Sequence, residues 1–172
     1  MNTINRHSIK ILWLELRRAG CALLLAATAG GLLCGCGSTG PKNVAVTMDK
    51  AWLYRSETLP SVEVDIIGVS AEEEHLWETY SMTAYWSPGD RLRSDAHKIV
   101  MRFGDGLPIS QTLGANNSIW RAWRRNGAVT LFILADLPGA YSDQSGDTDP
   151  RRKILPLKKT APNVEIIIRP YK

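Results

Sequence analysis

Apolar and polar residues alternate in short bursts through most of the chain after residue 43. Val44, Val46 and Met48 alternate with Ala45 and Thr47, which predicts a half-buried strand over 44–48. Val62, Val64 and Ile66 against Glu63 and Asp65 give a cleaner strand, and Ile99, Met101 and Phe103 against Lys98, Val100 and Arg102 a third. Residues 128–135 (AVTLFILA) are apolar on both faces, which predicts a central strand. Ile154 to Leu157 reads as a short edge strand, because Pro156 cannot donate to a ladder. Val164, Ile166 and Ile168 against Glu165, Ile167 and Arg169 predict the last strand.

One stretch has a longer period. Leu76, Trp77, Tyr80 and Ala84 fall on one face of a helix, and Ser70-Ala71-Glu72-Glu73 has the form of a capping box. The spacing predicts a helix over 71–86, stopped by Pro88-Gly89. A second, shorter helix is expected over Ser118–Arg125, ended by Asn126-Gly127. Six short strands with few helices, and no regular β-α alternation, predict a mainly β fold: a small antiparallel β-sandwich with one added helix near 71–86, packed across one end or edge.

The first quarter of the chain is different. Arg6, Lys10, Arg17 and Arg18 stand against the single acid Glu15, and a thirteen-residue apolar run follows from Ala22 to Cys34. Spanning a bilayer as a helix takes about 20 apolar residues. Thirteen fits the apolar region of a secretory signal instead. The run ends in Leu33-Cys34-Gly35-Cys36. Here the chain resembles bacterial lipoprotein precursors, with Leu three residues before an obligatory Cys and small residues between. The resemblance implies diacylation of the Cys36 sulfur, cleavage before Cys36 and acylation of the new amino group. The domains expected are a signal peptide at 1–35, a lipidated Cys and flexible linker at 36–43, and one sandwich at 44–172. Gly37 follows the Cys, where Asp would resemble an inner-membrane retention signal. The periplasmic leaflet of the outer membrane is therefore the implied destination.

Removing the leader changes the charge. The whole chain of 172 residues carries a formal +4. The leader takes four of the 21 basic residues and one of the 17 acidic ones, leaving 17 and 16. A pI near 9.1 is thus largely a property of the leader, and a nucleic-acid reading built on overall charge has no footing. Cys36 is the one cysteine left after position 35, so no disulfide is expected within the domain. With about 140 residues, roughly two-thirds of the unfolded surface can be buried without such a staple.

Candidate chemistry is sparse. His75 lies near Glu72 and Glu78, but no third metal ligand is evident, and His97 reads as a surface residue. No GxGxxG, P-loop or Gly-x-Ser-x-Gly motif occurs, so neither an enzyme nor a cofactor is expected. Asp143, Asp147 and Asp149 surround Gly146 in a loop that departs from the EF-hand pattern; it reads as a solvated turn with Arg151-Arg152 beside it to neutralise the acids. Two segments are the candidate partner-binding surfaces. In Trp120-Arg121-Ala122-Trp123-Arg124-Arg125, the tryptophans share one helical face and leave Arg121, Arg124 and Arg125 outside. Tyr85 and Trp86 stand at the helix end before the Pro-Gly turn, where they read either as a core-filling helix terminus or as an exposed aromatic edge for a partner.

The order of elements is also similar to that of the outer-membrane lipoprotein of type VI secretion systems. The shared order is a lipidated Cys, a strand, a Pro-led strand at Leu59-Pro60, a helix with aromatics, the Pro88-Gly89 turn, a strand, a long apolar strand from Val129 to Asp136, and two C-terminal strands. That resemblance implies a transthyretin-like sandwich and a part in holding a trans-envelope complex to the outer membrane. The expected function is a non-enzymatic, membrane-anchored lipoprotein docking a periplasmic protein partner. The alternative is a ligand-binding lipoprotein for glycan, lipid or calcium, which needs a pocket of several hundred Å³ with convergent polar groups.

Overall fold

A computed structural model of the chain describes residues 40–53, 58–139 and 141–170. The expected leader, Cys36 and the boundary expected between them lie outside the described residues. Among the described residues, seven strands form two sheets. β1 (Asn43–Met48) lies between β4 (Ser110–Leu113) and β7 (Asn163–Ile168). The second sheet has the order β3 (Lys98–Phe103), β2 (Val62–Ser70), β5 (Ala128–Ala135), β6 (Arg152–Pro156). The fold is the small β-sandwich that the alternation predicts. β5 is central and β6, with its Pro156, is an edge. One pairing departs from an antiparallel sandwich: β1 and β7 run parallel, with Val44 opposite Val164 and Met48 opposite Ile168.

The sheets face each other through the expected apolar positions. Val44, Val46, Met48, Val62, Val64 and Ile66 meet Met101, Phe103, Leu131 and Ile133 in one buried layer. β4 is the strand the sequence pattern does not announce. It brings one apolar residue inward, Leu113 at 2% exposure, while Ser110 and Thr112 stay outside.

The helix expected over 71–86 is broken. α1 (Glu74–Thr79) and α2 (Met82–Tyr85) are separated by Tyr80 and Ser81 in extended conformations, and α3 (Arg91–Asp95) follows the turn at Gly89. Ser81 starts α2 by accepting the Ala84 amide at 2.9 Å, and Asp90 starts α3 by accepting the Arg93 amide at 2.7 Å. The capping box does not form. Ser70 is still in β2, its hydroxyl donates to Glu73, and Glu73 at the start of α1 makes no side-chain cap. The break turns Leu76 outward, to 48% exposure, and sends Trp77, Met82 and Tyr85 inward.

The position of these helices also differs from expectation. They lie neither at an end nor at an edge but on the outer face of the four-stranded sheet, over Ile67, Val69, Phe132 and Leu134. This is why β5 is apolar on both sides: Leu131 and Ile133 face the partner sheet while Phe132 and Leu134 face the helices.

α4 (Ile119–Arg125) packs against the inner layer through Trp120 and Trp123, whose rings meet edge to face at 5.0 Å. Each ring buries roughly 200 Å², worth about 5 kcal/mol by apolar area. Their indole N–H groups donate to the carbonyls of Gly114 and His97 at 3.0 and 2.7 Å. Trp123 lies so close to β2 that only a glycine fits beneath it. A Cβ on Gly68 would stand 2.5 Å from Trp123 Cγ.

Candidate interaction surfaces

The α4 segment is held as its periodicity predicts. Asn117 Oδ1 accepts the Ile119 amide at 2.9 Å, at the position where Ser118 makes no side-chain cap. At the other end the amides of Asn126 and Gly127 close the last turn on Ala122 and Arg124, with Gly127 at φ +72°. With Trp120 and Trp123 buried, Arg121, Arg124 and Arg125 are exposed. Arg124 and Arg125 sit in the last turn, where the helix dipole favours cations. None of the three forms an ion pair among the described residues, whereas Arg93, Arg102, Arg151 and Arg169 each pair with a carboxylate. Pro41 lines the same small pocket as Trp120, Trp123 and Arg124, so the chain joins the sandwich beside this helix.

Tyr85 is a correction. It is fully buried rather than exposed, and so cannot touch a partner. Its hydroxyl donates to the buried Asp65 at 2.8 Å, and Arg93 Nε donates to the same carboxylate oxygen at 3.0 Å. Burial, with Asp65 beside it, holds the Tyr85 phenol protonated far above its usual range. Arg93 also pairs with Glu63, which accepts from Arg102 Nε at 2.8 Å. Burial works against the Arg93 charge, but Asp65 and Glu63 outweigh it and raise its pKa. Trp86 is half-buried, and the Arg93 guanidinium lies 4.2 Å from its ring centre. The aromatic edge is therefore mostly a wall beneath the helical layer. The sequence pattern places Asp65 on a polar strand face and gives no sign that helices cover it.

The acidic loop is committed internally. Asp143 accepts from Ser81, from the Thr83 amide and hydroxyl at 3.0 Å each, and from Arg151 at 2.6 Å. Asp149, fully buried, accepts from Arg151 at 2.8 and 2.9 Å and from the amides of Gln144 and Arg151. Burial pushes both carboxyls up, yet these hydrogen bonds outweigh it and hold both below the usual range. Arg151 supplies the expected neutralisation. Arg152 does not; its guanidinium donates to the carbonyls of Glu78, Tyr80 and Gln144.

One cleft, of about 820 Å³, opens between the sheets on the side where β6 and β7 are the edges. Val46, Val64, Ile133, Ala135 and Ile166 give it an apolar lining. The charges at its rim are mostly paired: Asp147 with Lys153 at 2.5 Å, Asp149 with Arg151, and Arg169 with Asp49 at 3.3 Å. Sequence reasoning missed this opening. Its cause is a topology that leaves β6 and β7 unjoined, which no local pattern displays.

No family model and no curated protein matches the chain. Among solved structures it is similar to the T6SS protein TssM C-terminal domain from EAEC, at 10% identity and a TM-score of 0.46, over 74% of this chain and 95% of that one. A likeness at that level carries no argument about function.

Proposed function

We propose that this protein is a non-enzymatic envelope lipoprotein, held by acyl chains on Cys36 and docking the acidic face of a periplasmic protein partner through Arg121, Arg124 and Arg125. The setting that the order of elements suggests is an envelope complex of the type VI secretion kind, at the outer membrane. The observation that carries the docking surface is three guanidinium groups, without ion pairs among the described residues, on a short helix whose opposite face is pinned by two buried tryptophans. Such a surface is preorganised, and a lipid tether supplies effective concentration, so a modest interface suffices. Each buried acyl methylene adds about 0.8 kcal/mol, which makes a two- or three-chain anchor nearly permanent.

The place where the chain joins the sandwich favours a second reading of the same arginines. Pro41 beside Arg124 brings the α4 end within a few residues of Cys36, so these charges also suit anionic headgroups. The ligand-binding alternative has the cavity size it requires, but the paired charges at the rim leave few polar groups to converge on a glycan or an ion.

Membrane fractionation and site-specific photocrosslinking test the proposal. Cys36→Ser is expected to move the protein to the soluble fraction; unchanged membrane partition overturns the anchor. A photoreactive residue at position 124 is expected to give a protein adduct that is lost when the same chain also carries Arg121→Glu/Arg125→Glu. Adducts to lipid alone favour the headgroup reading.

A further inference from the structure

The two strands that border the cleft treat their free edges differently. On β6 every amide of the free edge is taken. The Arg152 amide donates to Asp149 O at 3.0 Å, the Ile154 amide donates to Asp147 Oδ1 at 2.6 Å, and Pro156 has no N–H while its carbonyl accepts from Lys159 and Thr160. This is how soluble proteins blunt an edge against pairing. On the opposite side of the sandwich, Gln111 Nε2 donates to Arg102 O at 2.5 Å and ties β4 to β3.

β7 has no such protection. Pro162 O and Ile168 O accept from the amides of Asn43 and Asp49 at 2.8 and 2.9 Å, so the even-numbered residues of this strand turn their backbone toward β1. By the alternation of a strand, Glu165 and Ile167 present N–H and C=O to the open side. None of these groups has a partner among the described residues. Ile167 is also 42% exposed, a large apolar side chain on an unpaired edge.

The sequence of that edge is complementary to itself. In an antiparallel pairing of β7 with a second β7 centred on Ile167, Glu165 of one copy stands opposite Arg169 of the other, twice, and Ile167 stands opposite Ile167. The positions in register are then the ones whose backbone groups are free, so each opposed pair exchanges N–H and C=O. Centring on Glu165 instead sets Glu against Glu, and centring on Ile166 leaves each charge opposite a neutral residue. On the inner face the Ile167-centred register sets Ile166 against Ile168 of the second copy, at the mouth of the apolar cleft. Arg169 is 71% exposed and its pairing with Asp49 is a surface contact of little worth, so it is available to a new carboxylate.

We propose that β7 pairs with β7 of a second copy of this chain, antiparallel and centred on Ile167, joining two three-stranded sheets into one across a two-fold axis. The pairing uses no residue of α4 and does not rest on the docking surface proposed above. The occupant of the β7 edge is a second copy because the charge pattern selects one register of this strand with itself.

The test uses the full-length chain in detergent. Because a two-fold axis sets residue 167 opposite itself, in a pair with Cα atoms about 5.5 Å apart, Ile167→Cys is expected to oxidise to a disulfide-linked dimer. Peptide mapping should find the bridge between two copies of position 167. Thr112→Cys, on the outer face of β4, is the control and should not form one. Glu165→Arg is expected to weaken the dimer roughly tenfold or more, by turning two attractive cross-strand pairs repulsive. Glu165→Arg/Arg169→Glu should restore it. A wild-type chain that sediments as a monomer at tens of micromolar, an Ile167→Cys variant whose bridge maps to another protein, or a double variant no tighter than Glu165→Arg overturns the proposal. Absence of protein adducts at position 124 in the chain that keeps Arg121 and Arg125, with the dimer intact, refutes the docking surface alone.

Discussion

Gly68 offers a direct measure of how tightly α4 is seated. The residue lies in the middle of the four-stranded sheet, and the Cβ of an alanine there would come within 2.5 Å of Trp123 Cγ, 2.6 Å of Cδ2 and 2.8 Å of Cβ. Real Cβ atoms do not approach so closely, so something must shift. The obstacle is the root of a large, 1%-exposed indole whose N–H is fixed on His97 O, and it cannot swing aside. Overpacking of this kind costs about 1–3 kcal/mol. Alanine would otherwise favour a strand over glycine by about 0.5–1 kcal/mol, so the observed loss is the clash less that gain. A net loss near 1–2 kcal/mol lowers the melting temperature by roughly 4–10 °C in a domain of this size. Gly114 is the internal control. A Cβ there meets Asn116 Oδ1 at 2.7 Å, the far end of a flexible side chain, so Gly114→Ala should fall within about 0.5 kcal/mol of wild type. Denaturant titration of both variants decides the matter. If Gly68→Ala is as stable as Gly114→Ala, Trp123 is not wedged against β2 and the seating of α4 described above is wrong.

Two further outcomes are expected. Tyr85→Phe leaves the buried Asp65 with Arg93 as its remaining partner and with Oδ1 already unpaired; the cost should be about 1.5–3 kcal/mol by denaturant titration, and a neutral result refutes the Tyr85–Asp65 bond. Asp143 and Asp149 have folded-state pKa values below their unfolded ones, so the unfolded chain binds more protons in acid. Their stabilisation is full above about pH 4 and is lost as the pH falls further; the denaturation midpoint should drop through that range, and less steeply in Asp143→Asn.

The strands with two or more inward apolar residues were legible because period two is a local property. β4 was not, since Leu113 alone marks it. The orientation of α4 followed from the i, i+3 spacing of Trp120 and Trp123, and with it the exposure of Arg121, Arg124 and Arg125. The break between α1 and α2 was hidden because the segment keeps helical spacing on paper. Ser81 and Thr83 are drawn to Asp143, about sixty residues away, and that tertiary bond sets the start of α2. Of the two readings of Tyr85, the core-filling one holds; what the sequence hid is its partner, because Asp65 sits in a polar-looking strand position that becomes interior once the helices fold over it. The cleft and the contrast between the β6 and β7 edges depend on sheet order, which residues near in sequence do not encode.

The parallel alignment of β1 and β7 has a mechanical consequence. In the lipid-anchored form proposed above, a load directed along β1 from Asn43 acts on a strand flanked by β4 on one side and β7 on the other. The ladder bonds lie across that direction. They therefore resist in shear, all at once, instead of opening one after another like a zip. Anchored as proposed, a domain hung by a central first strand withstands traction along that strand better than one hung by an edge.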